Sequence, residues 1–176
     1  MIAALLKSLL ESRRRSRIVH LRQLAPYPRN DMALSAGTKA PSFSSTDDKG
    51  NSVSLSDFKG KTVVIYFYPK DDTPGCTKQA CSFRDAYGEY QGKDIVVLGV
   101  SMDDETSHQA FKEKFSLPFP LIVETDGSIA KAFDVEGGGY AKRVTFVVDG
   151  DGQIIKVYDS INTETHAADV LADLGL

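Results

Sequence analysis

The chain has 176 residues, 41% hydrophobic and 26% charged, and a formal net charge of −3. That length suits one domain with a full core, and the composition is that of an ordinary soluble globular protein. No window approaches the roughly 18 apolar residues that a spanning helix needs, and an acidic body argues against nucleic acid as the main partner.

The charge is unevenly spread. Residues 1–31 hold seven Lys/Arg against Glu11 and Asp31, which leaves 14 bases and 22 acids for the remainder. Ile2–Leu10 is apolar and Arg13–Arg17 basic, the reverse of the charge order of a secretory signal. The expectation is an N-terminal arm over 1–31, either disordered or an over-long gene model. The alternative is an organellar transit peptide, as for a chloroplast. A domain over 32–176 follows, opening at Met32 with MALSAGTKAP. A cytoplasmic location is the leading expectation, with an organelle as the alternative.

In chain order, Ser42–Asp47 is a weak strand. Asp48-Lys49-Gly50-Asn51 has turn chemistry, and Val53 and Leu55 alternate with serines as in a short partner strand. Ser56–Gly60 is a turn or a single helical turn. Thr62–Tyr68 (TVVIYFY) lacks polar alternation and predicts a central strand covered on both faces. Thr77–Tyr90 carries Ala80, Phe83, Ala86, Tyr87 and Tyr90 at helical spacing. Ile95–Ser101 predicts a second buried strand, Asp103–Phe115 a helix, Leu121–Val123 a strand and Ser128–Phe133 a short helix. Arg143–Val148 and Gln153–Tyr158 flank Asp149-Gly150-Asp151-Gly152, a hairpin signal. Thr163–Leu174 predicts a closing helix with Thr163 as its cap. The order points to a layered α/β domain, parallel in its core with an antiparallel edge.

Both cysteines, Cys76 and Cys81, lie in YFYPKDDTPGCTKQAC, after the central strand. Two thiols cannot make a disulfide framework, and without nearby histidines they are too few for a closed zinc site. The loop after a central strand is where α/β sheets place reactive groups. A sulfur at a helix N-terminus meets unpaired backbone N–H groups and the positive end of the helix dipole, which favour the nucleophilic thiolate. Pro74 fixes part of the loop, and Gly75 lets the backbone approach a small ligand closely. Thr73 offers a hydroxyl to the sulfur, to a bound oxygen or to the helix as a cap.

Positions i and i+5 of an ideal helix have Cα atoms about 8.6 Å apart, whereas a disulfide needs about 7 Å or less. Cys76 and Cys81 therefore cannot bond across an intact helix. A bond between them requires the first turns to unwind.

Pro69, Thr73 and Cys76 stand as P-x-x-x-T-x-x-C, which resembles the active-site motif of peroxiredoxins. The run YPKDDTPGCTKQACSFRD is similar to the peroxiredoxin Q or bacterioferritin comigratory protein subgroup, and the resemblance covers about residues 36–176. It implies a thioredoxin-like fold: a central mixed sheet flanked by helices, with an N-terminal hairpin extension. It implies a thiol peroxidase that reduces hydrogen peroxide and organic hydroperoxides in antioxidant defence, without metal or organic cofactor. By the same resemblance Cys76 is the peroxidatic cysteine and Cys81 the resolving one, and the two form an intramolecular disulfide that thioredoxin or a similar dithiol reduces. Arg143 matches an arginine that lines the family's site. Pro69 would pack over the sulfur, with Thr73, Arg143 and the backbone N–H groups of Gly75 and Cys76 around the peroxide. Many relatives in the subgroup are monomers, and a monomer is expected here.

The rival readings are a thioredoxin-type thiol–disulfide oxidoreductase and a redox-switched chaperone or binding module. The spacing C-x-x-x-x-C, rather than C-x-x-C, stands against the first, and nothing in the sequence demands the second. His20, His108 and His166 show no metal-ligand spacing and read as surface or helix-cap residues. Asp71 and Asp72 read as solvated loop charges, and Gly137–Gly139 as a flexible loop beside the site.

Overall fold

The computed structural model describes residues 34–175. The expected N-terminal arm, residues 1–31, lies outside them, as does His20.

Seven strands form one mixed sheet in the order β2-β1-β5-β4-β3-β6-β7. The strands are β1 (Ser44–Asp47), β2 (Ser52–Ser54), β3 (Thr62–Phe67), β4 (Ile95–Ser101), β5 (Leu121–Val123), β6 (Val144–Val148) and β7 (Ile154–Tyr158). The helices are α1 (Pro74–Gly92), α2 (Glu105–Phe115), α3 (Ser128–Ala132) and α4 (His166–Asp173), with a 3-10 turn at Leu55–Phe58. β3 lies inside the sheet, parallel to β4 and antiparallel to β6. β1 and β2 form the expected hairpin, added antiparallel onto β5. The α/β class and thioredoxin-like layering expected from the sequence are both present.

The apolar run of β3 divides strictly by parity, because successive side chains of a strand face opposite ways. Val63, Ile65 and Phe67 enter one core with Leu98, Val100, Phe146 and Phe133; Val64 and Tyr66, with Tyr68 beyond the strand, enter the other with Phe83, Phe111 and Leu171. The first core lies under α3 and the N-terminal hairpin. The second lies under α1, α2 and α4. Both sides of the strand are dry, which is why it needs no polar alternation.

Three helix starts differ from expectation. α1 begins at Pro74 rather than Thr77, with Thr73 at the cap position, because a proline suits the first turn of a helix. α2 begins at Glu105, because Asp104 is its cap and accepts from the Ser107 N–H at 2.9 Å. α4 begins at His166 with Thr165 at the cap position, not Thr163. Asn162 is the cause: its Oδ1 accepts from Glu164 N and its carbonyl from Thr165 N, closing a turn through Thr163 before the helix can start. The β6–β7 hairpin forms as expected, with Asp149 Oδ1 accepting from Asp151 N and Gln153 N.

Candidate active site

β3 ends at Phe67, and the chain runs through Tyr68–Thr73 into α1. Pro74 is the first residue of α1, where a missing N–H costs nothing and a fixed φ suits the helix. Cys76 is therefore the third helical residue. The first bond of the helix joins Thr77 N to the Thr73 carbonyl at 2.8 Å. The N–H groups of Gly75 and Cys76 precede it and have no acceptor within the helix.

The Cys76 side chain is buried at 1% exposure, while Cys81 is half-buried, and both are free thiols on one continuous helix. Arg143, the residue before β6, reaches across: its Nη2 donates to Cys76 Sγ at 3.2 Å. A cationic donor thus points at the atom on which charge would develop.

Gln79 was not singled out from the sequence. It is fully buried, and its Oε1 accepts from Arg143 Nη1 at 2.6 Å. Gln79 therefore fixes the fork of the guanidinium while the other nitrogen faces sulfur. One signal was available: Gln79 follows Cys76 by three residues, so the two share a helix face.

Gly75 also makes room for Arg143. A β-carbon there would lie 3.2 Å from Arg143 Nη2, so the bare backbone admits the guanidinium. Thr73 occupies the cap position without a side-chain cap bond; its hydroxyl donates to the Lys70 carbonyl at 3.0 Å. The lone pairs of that oxygen remain able to accept from a ligand. Pro69 is half-buried and shares a shallow cavity of about 430 Å³ with Lys70, Met102, Asp103, Gly139 and Tyr140. The glycine loop thus lies beside Pro69. Its Gly138 and Gly139 N–H groups both donate to Glu136 Oε1.

Two expectations about charged residues fail. His108 and His166 are buried at 0% and 1%, neither on the surface, and Asp71 is buried at 7% rather than solvated. Asp71 accepts from Tyr68 and Ser107 and pairs with His108, which explains how a loop carboxylate tolerates burial. Asp72 is exposed as expected and pairs with Lys114 at 2.6 Å. His166 Nε2 meets Thr145 Oγ1 at 2.9 Å behind Arg143's strand. Among the described residues no helix is long and apolar enough to cross a membrane.

The model of the AhpC/TSA family matches residues 36–157. Peroxiredoxin Bcp of Bacillus subtilis is 43% identical over 151 residues, covering 81% of this chain and 96% of that protein. Chloroplastic peroxiredoxin Q of Suaeda salsa is 41% identical over 166 residues, covering 88% and 78%. Among solved structures, the Xanthomonas campestris bacterioferritin comigratory protein, studied for alkyl peroxide reduction through trapped intermediate and ligand complexes, superposes with a TM-score of 0.72. It shares 33% identity, with 76% of this chain and 90% of that one covered. With both a family model and relatives of near full length in agreement, the chain belongs to the AhpC/TSA family, as a thiol peroxidase of the peroxiredoxin Q and bacterioferritin comigratory protein group.

Proposed function

We propose that Cys76 is the peroxidatic cysteine of this peroxidase and Cys81 its resolving partner, recycled by thioredoxin or a similar dithiol. The observation that carries the reading is the 3.2 Å approach of Arg143 Nη2 to a buried Cys76 Sγ, five residues from the second thiol on one helix.

The chemistry runs in three steps. The Cys76 thiolate attacks the terminal oxygen of a hydroperoxide. The S–O bond forms, the O–O bond breaks, and the alkoxide or hydroxide takes a proton and leaves as alcohol or water. Arg143, the Thr73 hydroxyl and the N–H groups of Gly75 and Cys76 surround the reacting oxygens and stabilise their growing charge. Pro69 shields the sulfur from water. Cys76 is left as a sulfenic acid. The first turns of α1 then unwind, Cys81 sulfur attacks Cys76 sulfur, and water leaves as the disulfide forms. A dithiol reduces the disulfide by exchange. No step uses a metal or an organic cofactor, and the working unit is a monomer. The arrangement accepts both hydrogen peroxide and organic hydroperoxides, because it recognises only the O–O group. We place its action in antioxidant defence and redox homeostasis in the cytoplasm.

The test is NADPH loss with thioredoxin, its reductase and hydrogen peroxide. Cys76→Ser abolishes turnover. Cys81→Ser performs one turnover and stops at the sulfenic acid, which dimedone labels. Full thioredoxin-coupled turnover by Cys81→Ser overturns its resolving role. Insulin reduction without peroxide marks an oxidoreductase, and client protection without turnover marks a chaperone. Sedimentation of the reduced and oxidised protein checks the monomer.

A further inference from the structure

The loop that delivers Thr73 to α1 is held by a buried polar cluster that the mechanism above does not use. Asp71 is its centre. Its Oδ1 accepts from the Tyr68 hydroxyl at 2.7 Å, and its Oδ2 from the Ser107 hydroxyl at 2.8 Å. The same Oδ2 lies 2.8 Å from His108 Nδ1. The Asp71 N–H donates to Asp103 Oδ2 at 2.9 Å, and Ser101 Oγ donates to that same oxygen. The cluster therefore joins the end of β3, the segment after β4, and α2.

The proton count is fixed by the partners. His108 Nε2 faces the Ile122 carbonyl at 3.1 Å, which only accepts, so this nitrogen carries a hydrogen. Nδ1 and Asp71 Oδ2 then share a second proton, because two lone pairs would otherwise meet at 2.8 Å. Burial, then the neighbouring Tyr66 and Asp71, holds the Tyr68 phenol well above its usual range, so it remains a donor. Every arm of the Asp71 carboxylate is thus satisfied. The next residue, Asp72, has φ 53°, in the left-handed region, so the loop bends sharply just after its anchor.

We propose that Asp71 is a positioning residue for peroxide reduction: gripped by Tyr68, Ser107 and His108, it pins the loop carrying Pro69 and Thr73 to α2, so that unwinding for the disulfide starts downstream of Thr73. The proposal rests on the reading of Cys76 and Cys81 above. A pinned loop holds Thr73 and the start of α1 in the form that meets peroxide. Loosening it favours the unwound form in which Cys81 reaches Cys76. The same change therefore slows the first step and spares the second.

Three variants of the full chain test this with hydrogen peroxide as the probe. Asp71→Asn keeps the volume but places an amide donor where the carboxylate accepted. Ser107→Ala removes one donor and leaves the Asp71–His108 pair. Asp72→Asn alters the adjacent exposed carboxylate and suits the left-handed backbone. Two quantities are read: the second-order rate of peroxide consumption, by competition with a haem peroxidase, and the ratio of Cys76 sulfinic acid to Cys76–Cys81 disulfide after one dose, by mass spectrometry. Sulfinic acid forms when a second peroxide meets the sulfenic acid before Cys81 does.

Asp71→Asn lowers the rate about tenfold and Ser107→Ala about threefold, the scale of lost charge-assisted hydrogen bonds. Both lower the sulfinic-to-disulfide ratio, and Asp72→Asn changes neither quantity. A partly unfolded variant lowers the rate in proportion to folded protein but leaves that ratio unchanged, and such a result in Ser107→Ala overturns the proposal. Wild-type behaviour of Ser107→Ala in both readouts overturns it too, even if Asp71→Asn fails to fold. A wild-type protein that consumes no peroxide, or makes no Cys76–Cys81 disulfide, overturns the underlying reading and the proposal with it.

Discussion

Gly75 and Arg143 meet so closely that a single β-carbon on the glycine would stand 3.2 Å from the guanidinium Nη2, the nitrogen that also contacts Cys76 Sγ. Arg143 has little freedom to yield, because Gln79 grips its other nitrogen at 2.6 Å. Gly75→Ala therefore moves the guanidinium by a few tenths of an ångström at the sulfur. Alanine is also favoured over glycine in a helix, by about 0.5–1 kcal/mol. The expected outcome is a split: no loss of thermal stability, and a fall in the second-order rate with peroxide of about tenfold, the cost of a weakened charge-assisted bond. Melting curves and peroxide kinetics on the same preparation check it. A variant that melts earlier and reacts at the wild-type rate would contradict the role assigned to the bare backbone.

Gln79 gives a second test of the same fork. Gln79→Ala frees Arg143 Nη1 and opens space beside it in the core. The guanidinium then samples rotamers away from Cys76. Peroxide reactivity falls about tenfold or more, since a bond to a charged group is lost and its geometry with it. Because Arg143 contacts Cys76 Sγ and not Cys81, the rate of disulfide formation is expected to hold. Rapid-quench mass spectrometry separates the two steps.

Residue type explains what could be read from the sequence before any contact was known. The unbroken run Thr62–Phe67 announced a strand with two dry faces, and β3 lies inside the sheet between β4 and β6. The spacing over Thr77–Tyr90 announced a helix with Cys76 at its start, and α1 carries both thiols although it begins earlier, at Pro74. What stayed hidden were polar residues made internal by distant partners. Asp71 reads as a loop charge until His108, 37 residues on, is found against it. Gln79 draws no notice in the sequence until Arg143, 64 residues on, is brought to it just before β6. Local pattern carries backbone periodicity, but it carries no record of which polar groups a fold will pair.

Two buried histidines bend the pH dependence of stability in opposite directions. Burial, aided by Arg143 and opposed by Asp169, presses His166 down to about 4. Its ordinary value is near 6.5, so between these values the unfolded chain binds the proton that the folded one refuses. The stability present above pH 6.5 is lost as the pH falls toward 4, by about 3 kcal/mol in all. For His108, burial pulls down, but the Asp71 bond and charge, the Ile122 carbonyl and Asp103 outweigh it and raise the imidazole. Its contribution is complete below the ordinary histidine value and is lost as the pH rises through the raised one. Urea titrations across pH check both limbs. His166→Gln flattens the acid limb and leaves the alkaline one, and His108→Gln does the reverse.

Unwinding of α1 has a built-in downstream limit. Phe83 stacks on Tyr66 at 4.9 Å between ring centroids and meets His166 edge-on, and the Tyr90 hydroxyl donates to the Ala167 carbonyl at 2.7 Å. These contacts hold the second half of the helix to β3 and α4. The first half is tied chiefly through Arg143, which reaches Gln79 Oε1 at 2.6 Å and Cys76 Sγ at 3.2 Å. Lys78 pairs with Glu164 at 2.6 Å, but both side chains are more than half exposed, and such pairs contribute little. Cys81 lies just before the anchored half, so a Cys76–Cys81 bond draws on residues 76–82 alone. Hydrogen exchange of the reduced and peroxide-oxidised protein is expected to show amides of 77–86 losing protection, since each donates to a carbonyl four residues back, within 73–82, and those of 87–92 keeping it. Deprotection running through residue 92 would mean that Phe83 and Tyr90 do not anchor the helix, and unchanged protection at 77–86 would mean that no bond forms between these cysteines, since an intact helix holds them too far apart.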